Sequence, residues 1–424
     1  MDSQKVLEEE KKLIEVGKNS LERIEKETEE IIGLLRGEIA RRKINAEVFL
    51  GGSFAKGTLV RKDKYDIDIF VRFDWRSDEI SNILEGIVKR ICRGRKINAK
   101  MTHGSRDYFR IEKGKIIFEI IPVYNIKNPK EARNVTDLSY FHVNYVKRKL
   151  QGDLTKEVML AKQFCASCRV YGAESYIQGF SGYGLECLII YYRSFEKMLK
   201  ELVKVKERII LDPGKLFRKK EDVLFSINES KLQNPIVLVD PTWKERNVLA
   251  ALSWETFRKF RDKAREFLEK PSREFFLIEK IDVESLKKLA VKKKGEFLHL
   301  VIRTDRQEGD IAGTKMKKFA RFLENELIKY FEIYTSEFEY YDGRESSFYL
   351  IIKQKREVVK LGPPIKMEKN VLEFRKRNKD VFEKNGYLHA RIKIDFSARK
   401  FLHKWRRENS RKMGEMGIVG IDVV

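Results

Sequence analysis

Residues 51–73 read GGSFAKGTLVRKDKYDIDIFVRF, and the alternation in the second half decides the fold. From Asp66 onward, Ile67, Ile69, Val71 and Phe73 fall on one side of a two-residue period, while Asp66, Asp68, Phe70 and Arg72 fall on the other. That is the pattern of a strand with one face on an apolar core. The two carboxylates therefore share a face. Like charges this close repel, and burying them uncompensated is costly, so a positive partner is expected between them. A hard divalent cation such as Mg²⁺ suits two carboxylates.

Working outward, Ala46 to Leu50 is a mostly apolar, strand-like run that leads into Gly51-Gly52-Ser53, and Phe54-Ala55-Lys56-Gly57-Thr58 reads as a helical turn. Glycines there let the backbone approach an anion, and free N–H groups at a helix start point at it. Ser53 and Lys56 add a donor and a charge, so the stretch reads as a phosphate cradle. Downstream, Lys115 to Tyr124 reads KIIFEIIPVY, in which Ile116 to Ile121 is an apolar run, as in a strand buried on both faces, interrupted only by Glu119. A lone glutamate in such a run needs a partner. A salt bridge to a lysine is one reading; a third ligand beside Asp66 and Asp68 is the other and the preferred one, because one cation then satisfies three carboxylates.

A GGS turn, an acidic pair on the next strand and one carboxylate on a later strand resemble the signature of the polymerase-β-like nucleotidyltransferase superfamily. The likeness continues through Val170-Tyr171-Gly172-Ala173-Glu174, Gly179-Phe180-Ser181-Gly182-Tyr183 and Val239-Asp240-Pro241 followed by Arg246-Asn247-Val248. In this order the motifs resemble those of the archaeal-type, class I CCA-adding enzymes, the tRNA nucleotidyltransferases that complete the tRNA 3′ end, over nearly the whole chain. The resemblance implies an α+β, multidomain architecture. A mixed-sheet nucleotidyltransferase head would occupy residues 1–138, a helical neck 139–268, and an α+β body with a basic tail 269–424. It further implies two Mg²⁺ held by Asp66, Asp68 and Glu119, with CTP and ATP as substrates. Gly52, Ser53, Lys56, Lys162 and Tyr171 would lie at the triphosphate, His142 near the nucleotide and Arg246 on the base. The body and tail would hold the acceptor stem and T arm of tRNA. Two positions depart from the family pattern: Glu119 stands where aspartate is usual, and Lys56 where arginine is common, which keeps charge but loses bidentate phosphate contact.

Without the family, Lys162, Tyr171 and His142 read as a surface lysine, a packed tyrosine and a satisfied histidine, and Arg246 as a salt-bridge partner at the junction between a loop and a helix running from Ser253 to Leu268. The bases give Arg246 a second reading. Cytosine and adenine present an amino donor beside a ring-nitrogen acceptor, whereas uracil and guanine present a carbonyl beside an N–H. A guanidinium supplies donors only, so it serves the first pair and leaves the N–H of the second unpaired.

Composition bounds the class. The chain has 424 residues, enough for two to four domains, and 42% hydrophobic content places it among globular proteins. Lys plus Arg number 89 against 65 Asp plus Glu, a formal charge of +24, which points to a polyanionic partner. The N-terminus is charged throughout and no long apolar run occurs, so a cytoplasmic protein with no membrane partner is expected. Cys165 and Cys168 form one CxxC in a helical stretch, read as helix packing rather than a zinc or redox site.

Along the chain, residues 4–37 carry Leu7, Leu13, Ile14, Leu21, Ile24, Ile31 and Leu35 near helical spacing and read as one long helix. A helix from Glu79 to Gly94 and strands at Ala99 to His103, Tyr108 to Glu112 and Lys115 to Tyr124 complete a mixed sheet. Thr136-Asp137 reads as the cap of a helix ending at Leu150, followed by helices from Thr155 to Arg169 and Gly184 to Leu199. After Pro271 strands at Phe297 to Ile302 and Ser347 to Lys353, with a helix from Thr314 to Tyr330, suggest an α+β unit. Ser397 to Lys412 reads as a basic helix with an apolar stripe and is assigned to RNA contact. Two other functions remain open at this point: an untemplated polymerase making poly(A) or oligoadenylate, and an inactive RNA-binding scaffold. Whether the chain forms a homodimer is also left open.

Overall fold

The structure is a computed structural model that describes residues 2–93, 95, 97–102, 104, 106–341 and 343–424. The chain packs as two compact units, Met1–Ile278 and Glu279–Val424.

The expected single N-terminal helix is two helices, α1 (Ser3–Ile14) and α2 (Lys18–Arg41), with Gly17 in extended conformation as the N-cap of the second. The break has a packing cause. Val6, Leu7 and Ile14 join a helical core, whereas Ile24, Ile31, Leu35 and Ile39 join the core beneath a sheet, and one straight helix does not reach both.

That sheet is formed by β1 (Ala46–Leu50), β2 (Tyr65–Asp74), β3 (Ala99–Thr102), β4 (Tyr108–Lys113) and β5 (Ile116–Asn125), in the order β1-β2-β5-β4-β3. A one-turn helix, α3 (Gly52–Ala55), follows β1, and α4 (Ile80–Cys92) follows β2. Only β2 and β5 pair in parallel, which makes the sheet mixed. Ile67, Ile69, Val71 and Phe73 of β2 are all buried against α2 and α4, as the alternation requires. Gly94 and His103, the expected ends of the helix and of the third strand, lie outside the described residues.

Asp137 does not cap the following helix, α5 (Ser139–Lys149), whose N-cap position is Leu138. Buried instead, its carboxylate accepts from the backbone N–H of Tyr124 at 2.9 Å, Arg133 at 3.0 Å and Asn134 at 2.9 Å, and pairs with Arg106. It thus ties the end of β5 to the entry of the helical layer.

The helical layer comprises α5, α6 (Leu154–Ser167), α7 (Gly182–Tyr192) and α8 (Phe195–Val203). Helix α7 is apolar on nearly all sides and is buried accordingly. The helix expected from Gly184 to Leu199 breaks at Arg193, which adopts a left-handed φ of 68°, and Ser194 caps α8. Cys165 and Cys168 are buried in this layer beside Phe164. After β6 (Ile209–Leu211) and α9 (Glu221–Ser226), the strands β7 (Ile236–Asp240) and β8 (Trp243–Asn247) complete a small sheet of order β6-β7-β8, and α10 (Trp254–Glu269) starts at the Ser253 cap.

The second unit contains α11 (Val283–Lys292), β9 (Glu296–Thr304), α12 (Asp310–Leu327), β10 (Phe331–Tyr340) and β11 (Glu345–Gln354), then β12 (Glu357–Pro364), α13 (Glu368–Arg377), β13 (Asp380–Lys384) and β14 (Tyr387–Lys393). It ends with α14 (Ala398–Glu408), α15 (Ser410–Glu415) and β15 (Ile418–Val423). Its sheets run β10-β11-β9-β15 and β12-β14-β13. The basic stretch at 397–412 is therefore not one helix but parts of two. Leu402 and Trp405 of α14 are buried, Trp405 against Phe319 and Phe322, while Arg399, Lys404 and Arg406 stay exposed. No described helix is long and apolar enough to cross a membrane.

Asp137→Ala leaves Arg106 and three backbone donors without their acceptor and should destabilise the first unit by about 3–5 kcal/mol. Hydrogen exchange checks it: protection at the Tyr124 and Asn134 amides should fall, and unchanged protection would refute the role of Asp137.

Candidate active site

The parallel register of β2 and β5 places Asp68 opposite Glu119, with Asp66 two residues before Asp68 on the same face. The side chains themselves diverge. Asp66 pairs with Lys62 at 2.5 Å, and Glu119 lies 3.5 Å from the Arg110 Nε. Glu119 thus has a basic neighbour, an arginine from the adjacent strand rather than one of the lysines. Among the described residues no three His, Cys, Asp or Glu side chains are arranged to hold a metal ion.

Of the three acids on β2 and β5, Asp68 is the one that desolvation affects most clearly. Desolvation pushes its carboxyl up to about 6, the Lys56 charge opposes that rise, and Asp66 adds to it. Gly52, at a φ of +65°, lies directly over it: a Cβ built on Gly52 would stand 1.7 Å from the Asp68 Oδ2. Only glycine allows this approach. The donor set is three hard carboxylates with Asp68 desolvated, which fits a hard divalent cation in chemistry.

Lys56 and Lys162 meet through a residue that the sequence reading passed over. Glu186, in the middle of α7 and wholly inaccessible, accepts from Lys56 Nζ at 2.6 Å through Oε2 and from Lys162 Nζ at 2.9 Å through Oε1. Thr58 Oγ1 donates to the same Oε1 at 3.0 Å and accepts from Lys162 at 2.8 Å. Burial alone would raise the Glu186 carboxyl, but Lys162 and Lys56 bring it down to about 2. Tyr171 belongs to the same cluster: its hydroxyl would lie 3.0 Å, and Lys162 Cε 3.8 Å, from a Cβ built on Gly182. Ser53 closes the loop by its carbonyl, which accepts from the Thr58 N–H at 2.9 Å.

His142 and Arg246 meet through a second buried carboxylate. Asp240 Oδ2 lies 3.0 Å from His142 Nε2 and accepts from Arg246 Nη1 at 2.7 Å. Arg246 sits on β8 rather than at a loop-to-helix junction, because a two-residue turn at Pro241 and Thr242 sends the chain straight back along β7. Burial lowers the His142 imidazole below its ordinary value despite Asp240, while the His142 hydrogen bond and the Arg246 charge overcome burial to hold Asp240 well below the carboxylate range. Near neutral pH, therefore, Asp240 is ionised, with His142 Nε2 and Arg246 Nη1 on the same oxygen. The Lys56 charge acts on both Asp68 and His142.

Glu186 and Asp240 carry a sequence signal of the kind that singled out Glu119. Each is a lone carboxylate in an apolar run, GLECLIIYY and IVLVD.

Residues 32–135 match the nucleotidyltransferase domain model, and residues 156–277 match the model described as tRNA nucleotidyltransferase, second domain. The CCA-adding enzyme of Nanoarchaeum equitans is 31% identical over 356 residues, covering 83% of this chain and 85% of that one. This chain belongs to the CCA-adding enzyme family. The CCA-adding enzyme of Thermococcus kodakarensis is 30% identical over 368 residues, covering 84% of this chain and 78% of that one. That of Saccharolobus solfataricus is 33% identical over 298 residues, covering 69% and 67%. Among solved structures, the RNA terminal uridylyl transferase Cid1 aligns at a TM-score of 0.50 and 13% identity, covering 65% of this chain and 98% of that one, a likeness of fold alone. Membership makes the chain a tRNA nucleotidyltransferase of a class that uses divalent metal ions, with the α+β, multidomain architecture implied by the sequence.

Two outcomes follow. Gly52→Ala should abolish activity, since the new methyl would occupy the space of the Asp68 carboxylate; full nucleotide incorporation by that variant would disprove the close approach. The Glu186 carboxyl, at about 2 when folded against an ordinary 4.5, adds stability above the ordinary value and loses it as pH falls toward the folded one, on the order of 3 kcal/mol in all. The stability gap between wild type and Glu186→Gln in urea unfolding should accordingly be wide near neutral pH and narrow at about pH 3.

Proposed function

We propose that this chain adds C, C and A, untemplated, to the 3′ end of immature or damaged tRNA, taking CTP and ATP and releasing pyrophosphate. The observation that carries the reading is the Asp68–Glu119 register beside the Lys56–Glu186–Lys162 cluster, in a chain of the CCA-adding enzyme family. In this reading Asp66, Asp68 and Glu119 hold two Mg²⁺. When bound, the ions supply Lewis acidity to the triphosphate and lower the pKa of the RNA 3′-hydroxyl.

The residues do the rest. Ser53, Lys56, Lys162 and Tyr171, with the backbone at Gly52, bind the triphosphate and offset its charge. The 3′-oxygen forms its bond to the α-phosphorus in line as the bond to the pyrophosphate oxygen breaks. Arg246 offers its donors to the ring-nitrogen acceptor of C or A, and His142 lies beside it; U and G would leave an N–H facing a donor. Residues 1–138 act as the catalytic head, 139–268 as the neck that contacts phosphates and base, and 269–424 as the body and tail that hold the acceptor stem and T arm. The exposed arginines and lysines of α14 are suited to phosphate contact. The protein works in the cytoplasm.

Supplied with a tRNA transcript lacking its 3′ CCA, Mg²⁺ and NTPs singly and together, the protein should add C, C, A and stop. Long A tails would replace this reading with a poly(A)-type polymerase, and no product with retained tRNA binding would leave a scaffold. Asp68→Ala should lose incorporation while binding tRNA as before, and normal turnover in it would remove the metal assignment.

A further inference from the structure

We propose that Asp240 is the positioning residue for base selection: its buried carboxylate fixes the Arg246 guanidinium, and discrimination of C and A from U and G depends on that fixation. The inference rests on the reading of Arg246 as the base contact and extends it to a residue outside the sequence-derived site.

The two oxygens of Asp240 do different work. Oδ1 is anchored, accepting from the Thr242 N–H at 2.8 Å, Thr242 Oγ1 at 2.7 Å and the Tyr183 hydroxyl at 3.1 Å. Oδ2 is left to position others, taking Arg246 Nη1 at 2.7 Å and His142 Nε2 at 3.0 Å. The pair is asymmetric in accessibility: the Asp240 side chain is 0% exposed and that of Arg246 is 21% exposed, so the carboxylate is rooted and the guanidinium reaches the surface.

The backbone of Arg246 is held equally firmly. Its neighbour Asn247 is buried, and its side chain accepts from the Leu238 N–H at 3.0 Å and the Leu249 N–H at 2.9 Å and donates to the Lys231 carbonyl at 2.8 Å. One end of the arginine is thus set by the β7–β8 hairpin and the other by Asp240. A long side chain otherwise samples many rotamers, and a donor that moves can turn to serve a carbonyl instead of a ring nitrogen. Discrimination by a missing hydrogen bond requires that the donor cannot move. The bond to Asp240 uses Nη1, so the donors on Nε and Nη2 remain for the base. His142 is fixed by the same oxygen and by stacking on Tyr183, with ring centroids 3.9 Å apart.

A purely structural role for Asp240 would predict proportional losses with every nucleotide; a positioning role predicts a changed ratio. The test measures kcat/KM for single additions of CTP and UTP by the full chain on the tRNA transcript lacking CCA. Asp240→Asn should lower the CTP-to-UTP ratio by about tenfold or more, as a lost charge-assisted fixation implies. Tyr183→Phe removes one anchor of Oδ1, keeps the ring against His142, and should lower the ratio in the same direction by a smaller factor. Arg246→Lys serves as reference. If wild type adds no C, or Arg246→Lys keeps the wild-type ratio, the reading of Arg246 fails and this proposal falls with it. If Arg246→Lys loses discrimination while Asp240→Asn and Tyr183→Phe slow CTP and UTP equally, the proposal alone is overturned. Should Asp240→Asn not fold, Tyr183→Phe decides: an unchanged ratio overturns it.

Discussion

Glu186 is a carboxylate taken wholly out of water inside a helix that is otherwise a hydrophobic rod. Such a charge persists only with opposite charges in contact, and here it has two, one from the loop after β1 and one from α6. A leucine at the position would suit the packing of α7 and remove the desolvation cost. It would also leave Lys56 and Lys162 facing each other without a counter-charge, and two ammonium groups side by side lose protons or move apart. The ion cluster therefore does what an apolar contact cannot. It fixes the glycine loop of the sheet layer against the helical layer and holds both lysines together where a triphosphate is proposed to bind.

Asp240 repeats the arrangement at the end of β7. It too is a buried acid in an apolar strand with two basic side chains on it, but its partners are an arginine and a histidine rather than two lysines. The difference suits the task proposed for each. Ammonium groups act as point charges and tolerate small displacements of a phosphate, whereas a guanidinium recognises by direction and needs its plane fixed. Under the proposed function, rigid scaffolding at Arg246 and charge density at the two lysines are what holding any nucleoside triphosphate while accepting two bases requires.

The sheet was legible in the sequence because its signals are local. The two-residue alternation of β2 and the apolar run of β5 state which faces are buried, and the strands fall where those patterns put them. The break between α1 and α2 was not legible, because a helical period runs through residues 15–17 and only the existence of two cores forces the turn. At Arg193 the signal was present but slight: Ser194 caps α8, and the left-handed turn before it separates α7 from α8. Arg246 could be selected as a base contact from donor chemistry, yet its place on a strand is supported by Asn247, whose side chain bonds the backbone of Leu238 and Lys231, nine and sixteen residues away. Glu186 and Asp240 were within reach. The argument applied to Glu119, that a lone acid in an apolar run needs a partner, applies to both without change.

Glu119 also shows where such reasoning has to stop. The backbone puts Asp68 and Glu119 opposite each other through ten paired residues of buried strand, a register that a one-residue slip would destroy by turning every apolar side chain outward. The carboxylates at the ends of those bonds obey a different rule. Like charges separate when rotamers allow it, and Asp66 and Glu119, partly exposed, turn to Lys62 and Arg110. Asp68 is confined beneath Gly52 and has less freedom to turn. What the sequence encodes rigidly is thus the position of three Cα atoms and one carboxylate. The remaining two acids are held by ion pairs, a half-exposed one at Asp66 and a more buried one at Glu119. The longer reach of glutamate at position 119 is consistent with this: it spans to the neighbouring strand's arginine without disturbing the register that would return it to Asp68.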